Sequence, residues 1–271
     1  MKIAFIGGGN MASALIGGII KRGTAAPDSL YVIDPNDSSR TRLRETFGVR
    51  TGEAIDAALA GYDAIVLAVK PQVLGAVAKA LAPHLDGALV ISIAAGIRAA
   101  DLSHWLGGYA RVVRTMPNTP ALVGMGVTGL AALPGVDAAG RELGSAVLGA
   151  VGETVWFDDE AKLDAVTAIS GSGPAYVFYF IEALQDAARQ LGMSDEQGRA
   201  LAVATFTGAA QLAAQSGEPA GVLRERVTSK GGTTAAALAA FDAQDLKQAI
   251  VRGVLAAEAR ARELGDELGG A

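Results

Sequence analysis

Residues 2–15 read KIAFIGGGNMASAL. Ile3, Ala4, Phe5 and Ile6 make a short apolar run fit for a buried parallel strand. Gly7, Gly9 and Ala12 fill the three small-residue positions of a G-x-G-x-x-A turn opening a helix. Each position has its own task. Gly7 permits the tight strand-to-helix turn, Gly9 lets the backbone come close to a pyrophosphate, and Ala12 lets the helix lie against the sheet. Free amides at the helix start then face the phosphates. The alternative is a glycine-rich turn with no ligand, and the order strand, turn, helix counts against it.

Working outward, a helix from about Met11 to Lys21 leads to a second strand at 30–34 (LYVID), with Asp34 at its carboxyl end. A carboxylate there accepts from ribose hydroxyls and repels a 2′-phosphate, which favours NAD. The same residues also spell a plain turn, Asp34-Pro35-Asn36-Asp37. Arg40 and Arg42 follow closely enough to pair with a 2′-phosphate instead, so NADP stays open. Further apolar runs at 64–69, 89–93 and 111–116 end in Lys70-Pro71, Ala94-Ala95-Gly96 and Pro117-Asn118-Thr119-Pro120. Ligands bind at strand ends on one side of a parallel sheet, so Lys70, Gly96 and Asn118 are expected around one crevice. Two more strands, at 127–133 and 154–157, flank a helix near 138–149.

With 271 residues the chain suits two domains and needs no staples. It has no cysteine, which removes disulfides, thiolate catalysis and thiolate metal sites. His84 and His104 stand in no metal-ligand spacing and read as surface or loop residues, so no metal is expected. A net charge of -5 argues against nucleic acid and anionic lipid. The expected partners are small molecules and further copies of the chain. Met1-Lys2 leads straight into a strand with no targeting segment, so the expected location is cytoplasmic. The aromatic-rich apolar run 174–181 stops at Glu182, short of the ~20 residues a bilayer demands.

After Asp158-Asp159-Glu160 no strand pattern remains, and the domain boundary is placed there: 1–158 for the nucleotide-binding part, 159–271 for a helical part. Residues 175–181 are apolar on every face of a helix and must be covered all round. Long Ala-rich helices at 195–215 and 243–264 leave little other material to do so, which points to a homodimer; packing against the first domain is the alternative. Two loops of small residues interrupt these helices. Residues 170–174 (SGSGP) precede the aromatic helix, and 228–234 (TSKGGTT) combine glycines, hydroxyls and a helix start suited to a carboxylate. A merely capped helix start is the plainer reading of the second loop.

Together the residues resemble the pyrroline-5-carboxylate reductase family over nearly the whole chain. The motifs are IGGGNM at 6–11, AVKPQ at 68–72, SIAAG at 92–96, RTMPNTP at 114–120, SGSGPAY at 170–176 and VTSKGGTT at 227–234. The resemblance implies an α/β Rossmann-type doubly wound sheet followed by an all-α domain that interlocks into dimers, with decamers as a further assembly. It implies reduction of the C=N bond of 1-pyrroline-5-carboxylate to L-proline by NADPH or NADH, the last step of proline synthesis. Cofactor binding falls to Ile6, Gly7, Gly8, Gly9, Asn10, Met11, Asp34, Ala68, Val69, Lys70, Pro71, Ala94, Ala95, Gly96 and Asn118. Substrate binding falls to Glu160, Thr167, Ser229, Gly231, Gly232, Thr233 and Thr234, with Thr234 the catalytic choice because its hydroxyl orients the ring nitrogen. A cyclic imine can take its nitrogen proton from water before binding, so no strong His-Asp pair is demanded; the site must orient ring against ring.

Three positions depart from the family's habit. Asp34-Pro35 stands where many relatives carry Ser or Asn-Arg, no Asn occurs around Thr51-Gly52-Glu53, and Lys230 replaces a proline. A hydroxyacid dehydrogenase would need a lysine donor on the helix after residue 173, which reads PAYVFYFIE from Pro174 to Glu182 and has none. A nucleotide-sensing regulator would need neither of the two small-residue loops.

Overall fold

The computed structural model describes residues 1–269; residues 270 and 271, with which the expected second domain ends, lie outside them. The first strand, β1 (Ile3–Ile6), pairs in parallel with β2 (Leu30–Ile33) on one side and, on the other, with the fourth strand of the chain, Ala64–Leu67. With β3 (Arg50–Gly52), β4 (Ala64–Leu67), β5 (Leu89–Ser92), β6 (Val112–Met116), β7 (Gly126–Ala132) and β8 (Gly152–Trp156), the sheet runs in the order β3-β2-β1-β4-β5-β6-β7-β8. Strands β1, β2, β4 and β5 are buried at every position, as a parallel sheet covered on both faces requires. The β6–β7 pair runs antiparallel, because the connection between them holds a single short turn and no crossover helix.

Alternation along β1 sorts the core into two halves. Ile3 and Phe5 face one side, packing with Leu15, Ile16 and Ile19 of α1 (Asn10–Lys21). Ala4 and Ile6 face the other, with Leu74, Ala78 and Leu81 of the helix Pro71–Leu81. In chain order the helices on this sheet are α2 (Asp37–Phe47), α3 (Pro71–Leu81), α4 (Ala99–Trp105) and α5 (Ala138–Leu148). This is the doubly wound arrangement expected from the glycine turn.

Beyond the sheet come α6 (Lys162–Val166), α7 (Gly173–Gln190), α8 (Asp195–Ser216), α9 (Ala220–Arg226), α10 (Thr233–Ala243) and α11 (Leu246–Gly269). The segment expected as an SGSGP loop is instead largely helical. A π turn, Thr167–Gly171, joins α6 to α7: the Ser172 amide donates to Thr167 O at 2.8 Å and Ser170 Oγ to Val166 O at 3.0 Å. Gly171 serves close packing there, since a Cβ would lie 2.5 Å from Met116 Cε. The boundary expected after Asp158 also falls elsewhere in terms of packing. One compact unit comprises Met1–Ser172 with the chain from Ala257 onward, and the other Gly173–Ala256. Residues after 158 stay with the sheet because Leu163 packs on Gly129 of β7 and Asp164 pairs with Arg114 of β6.

The helical unit has almost no interior. Its buried residues, among those described, are Ala188, Gly198 and Ala202, all small and all at the α7–α8 contact. Phe178 and Tyr179 of α7 are 61% and 73% exposed, and Leu201, Leu212, Phe241 and Leu255 are exposed as well. Apolar helices so open in a single chain call for a second one. No helix among the described residues is long and apolar enough to cross a membrane. Replacing both Phe178 and Tyr179 by Glu should weaken self-association by about 3–6 kcal/mol, or two to four orders of magnitude in the dissociation constant. Sedimentation equilibrium against the unaltered chain measures it, and equal dimer affinity would place the interface elsewhere.

Candidate active site

Three strand ends meet at Gly7. Its amide donates to Ile33 O at 2.8 Å, while the Ala68 amide donates to Ile6 O at 2.8 Å. Gly7 has φ +102°, and a Cβ on it would lie 2.6 Å from Ala68 O, so both the turn and the close approach demand glycine. Gly8 is hemmed in by Leu43 and Asp34, and Gly9, the residue before α1, faces open space. No side chain caps α1, which leaves its first amides, on Asn10 and Met11, to a ligand. Ala12 is buried where the helix meets the sheet, as its motif position requires.

Asp34 fulfils the turn role read from the sequence and adds one that was not read there. Oδ2 accepts from the Gly8 amide at 2.7 Å and Oδ1 from the Asn36 amide at 2.8 Å, so one carboxylate braces the glycine turn and closes the Asp-Pro turn. The two arginines are also committed. Arg40 donates to Asp34 O and Pro35 O at 2.8 and 2.9 Å and pairs with Asp37. Arg42 reaches the glycine turn itself, donating to Gly8 O at 2.8 Å and Ser13 Oγ at 3.0 Å.

The other strand ends divide. Ala68 and Val69 leave β4 beside Gly7, and exposed Lys70 with Pro71 begins α3. Ala94 donates to Ser92 Oγ at 3.3 Å and Ala95 is exposed. Gly96, expected to line an open crevice, is instead buried under α11: a Cβ would lie 3.2 Å from Leu268 Cδ1, and its φ of +79° demands glycine. Asn118 likewise spends its amide on the protein. Its Nδ2 donates to Ser170 O at 3.1 Å and its Oδ1 accepts from the Val127 amide at 3.0 Å, pinning the π turn to β7. Thr167 Oγ1 donates to Leu163 O at 2.8 Å, within its own helix.

Glu160 lies in a charged cluster that sequence reasoning missed. Its Oε1 accepts from the Ala99 amide at 2.7 Å and from Arg114 Nη1 at 3.1 Å, and Arg114 Nη2 holds Asp164 Oδ1 at 2.9 Å. Arg114 is only 4% exposed. The signal was an arginine inside the apolar run RVVRTM, which needs a carboxylate partner when buried. Arg98 nearby is held more firmly protonated than usual by its hydrogen bond to Asp266.

In the helical unit, Gly231 adopts φ +72° and the Gly232 amide donates to Ser229 O at 3.0 Å, which turns the chain into α10. Ser229 Oγ occupies the place a Cβ on Gly232 would fill. No side chain caps α10, so the amides of Thr233 and Thr234 are open to an anion. Thr234 is half-buried and Ser229 exposed. The plainer reading of this loop, a side-chain-capped helix start, is not what the structure shows.

A family model described as pyrroline-5-carboxylate reductase dimerisation matches residues 160–264. The pyrroline-5-carboxylate reductase of Pseudomonas aeruginosa is 46% identical over 269 residues, covering 99% of this chain and 98% of that one. The chain belongs to the pyrroline-5-carboxylate reductase family. These are oxidoreductases that complete proline biosynthesis with NAD(P)H. The family's solved structures share this one's fold closely. The reductase of Coxiella burnetii superposes with a TM-score of 0.92 at 38% identity, covering 97% of this chain and 98% of that one. The pyrroline carboxylate reductase of Plasmodium falciparum, with NADP bound, gives 0.87 at 30% identity, with 98% of each chain covered. A second model, NADP oxidoreductase coenzyme F420-dependent, matches residues 2–96, the glycine-turn part of the sheet. The dimerisation domain makes the reductase a homo-oligomer.

The reductase's Asn118 provides a check on this geometry. Asn118→Ala removes two buried hydrogen bonds and should cost about 1–3 kcal/mol of stability, read by urea denaturation. NADPH affinity should stay nearly intact, and a large loss of it would return Asn118 to the cofactor.

Proposed function

We propose that this reductase converts 1-pyrroline-5-carboxylate to L-proline with two uncapped helix starts as its binding elements. That pair of open helix starts, α1 behind Gly9 and α10 behind Gly232, is the observation that carries the reading. The first suits a pyrophosphate, with Ile6, Gly7, Gly8, Gly9, Asn10 and Met11 around it and no Cβ in the way at Gly9. The second suits the substrate carboxylate, held by the amides of Thr233 and Thr234 with Ser229, Gly231 and Gly232 shaping the turn. Ala68, Val69, Lys70, Pro71, Ala94 and Ala95 serve the ribose and nicotinamide end, while Gly96 and Asn118 shape it from behind.

When bound, the dinucleotide supplies the hydride that adds to the imine carbon. The chain's part is orientation. Thr234 donates or accepts at the ring nitrogen, and Glu160 with Thr167 lies on the ring's side, where a carboxylate favours the protonated imine. Because the proton arrives with the substrate, a fixed acid is unnecessary. Residues 1–158 then act as the nucleotide-binding domain and 159–271 as the substrate-binding and dimerisation domain. Decameric assembly and a cytoplasmic setting complete the reading, in keeping with the family's biosynthetic role.

Oxidation of NADH and NADPH, followed by absorbance with pyrroline-5-carboxylate as acceptor, tests the activity; no oxidation with either would overturn it. In the same assay Thr234→Ala should lower kcat/KM for the imine about ten- to hundredfold, a loss of roughly 1–3 kcal/mol, and leave cofactor affinity nearly unchanged. We infer that both cofactors are used, with NADPH productive because Arg42 sits on the glycine turn beside Asp34. Asp34→Ser removes a negative charge beside the Gly8 amide and should move the kcat/KM ratio toward NADPH by about tenfold, or 1.4 kcal/mol. An unmoved ratio would confine Asp34 to bracing the two turns.

A further inference from the structure

We infer that Arg114 is a positioning residue for the reduction: its guanidinium forks between Asp164 and Glu160 and thereby decides which oxygen of Glu160 is left for the substrate. The inference rests on the reading of Glu160 as a substrate residue and deepens it.

Arg114 sits in β6 with Ser92 of β5 opposite it on one side and Ala131 of β7 on the other. It is 4% exposed, in a strand whose neighbours Val112 and Val113 are wholly buried. Nη2 meets Asp164 Oδ1 at 2.9 Å and Nη1 meets Glu160 Oε1 at 3.1 Å. The same Oε1 accepts from the Ala99 amide at 2.7 Å. One oxygen of Glu160 is thus held by two donors, and Oε2 takes part in neither bond. Glu160 lines a cavity of about 500 Å³ together with Arg98, Asp164, Glu258 and Arg262.

Three physical points favour aim over mere stability. Burying a guanidinium with two carboxylates is a poor route to stability, since apolar side chains of like volume would serve as well or better. Within the triad one positive charge faces two negative ones, but Arg98, Lys162 and Arg262 against Asp159 and Glu258 bring the cavity's lining into charge balance, so Glu160 is set against the substrate by its direction and not by a surplus of charge. The Ala99 amide closes the segment 94–98, whose Ala94 and Ala95 are proposed for the nicotinamide end. A single clamped carboxylate therefore fixes both the residue facing the substrate and the exit of the cofactor loop. Only an arginine fork can hold two carboxylates in fixed directions; a lysine brings the charge without the geometry.

The experiment compares Arg114→Lys, Arg114→Ala, Glu160→Gln and Asp164→Asn in the full-length enzyme. It follows steady-state kinetics with pyrroline-5-carboxylate, NADPH titration by fluorescence and thermal melting. R114K and E160Q should each lower kcat by about tenfold or more, with NADPH affinity within about twofold of the parent. D164N weakens one arm of the fork while keeping the Arg114–Glu160 bond, and should lower kcat too, but by clearly less than R114K. Millimolar guanidinium, entering through the cavity, should restore part of the activity of R114A. Full kcat in R114K, a D164N loss as large as that of R114K, or no rescue of a folded R114A would overturn the inference while leaving Glu160 in the site. Unchanged kinetics in E160Q would overturn the substrate role of Glu160 and this inference with it.

Discussion

The approach of Gly7 to the carbonyl of Ala68 is the constraint on which the sheet unit depends. A side chain there would lie 2.6 Å from Ala68 O, so a Cβ would force apart the ends of β1 and β4 where they run parallel. With glycine in place, β1, β2 and β4 end level, and their carboxyl ends open on one edge. Everything assigned to the dinucleotide follows from that edge. Asp34, one residue past β2, reaches back to the Gly8 amide because Gly8 has no side chain in the way. Arg42 comes over from α2 to grip the Gly8 carbonyl from outside. The glycine turn is therefore held in shape before any phosphate arrives, which lowers the ordering cost of binding.

The helical unit obeys the opposite rule. The sheet closes its own core twice over, once on each face, whereas α7 and α8 meet through alanine, glycine and one ring pair, Phe180 with Phe206, and leave Phe178 and Tyr179 outward. Close approach through small residues binds the two helices tightly but buries little apolar area, so most of the favourable free energy waits for a second chain. The sheet half, by contrast, holds two closed apolar clusters within one chain.

How much of this was legible in the sequence depended on whether a residue's job is local. The glycine turn, the apolar strands and the helix start after the TSKGG loop are written in consecutive residues, and each is found where its pattern placed it. Strand β3, with the composition Arg-Thr-Gly, lacks an apolar run because it lies at the sheet edge. The π turn escaped notice for a related reason: Ser-Gly-Ser-Gly reads as loop by propensity, but close packing on Met116 and the grip of Asn118 impose helix. Gly96 and Asn118 were recognised as special, but their neighbours within the chain were not read. Their partners, Leu268 and Ser170, lie far along the chain, and only the folded path brings them together. Arg114 was hidden for the same reason, its carboxylates standing 46 and 50 residues away.

The cover over Gly96 has a consequence for how the molecule comes into being. A chain made from its amino terminus has all eight strands out of the ribosome once Trp156 has emerged, and the sheet can then close. Yet the loop after β5 remains bare until Leu264 and Leu268, far along the chain, fold back over it. The cover of this sheet edge thus comes from α11, which follows α7 to α10 in the chain. A chain cut before α11 would carry β1 to β8 and still lack the cover over Gly96, so the conformation of that loop depends on residues far from it in sequence.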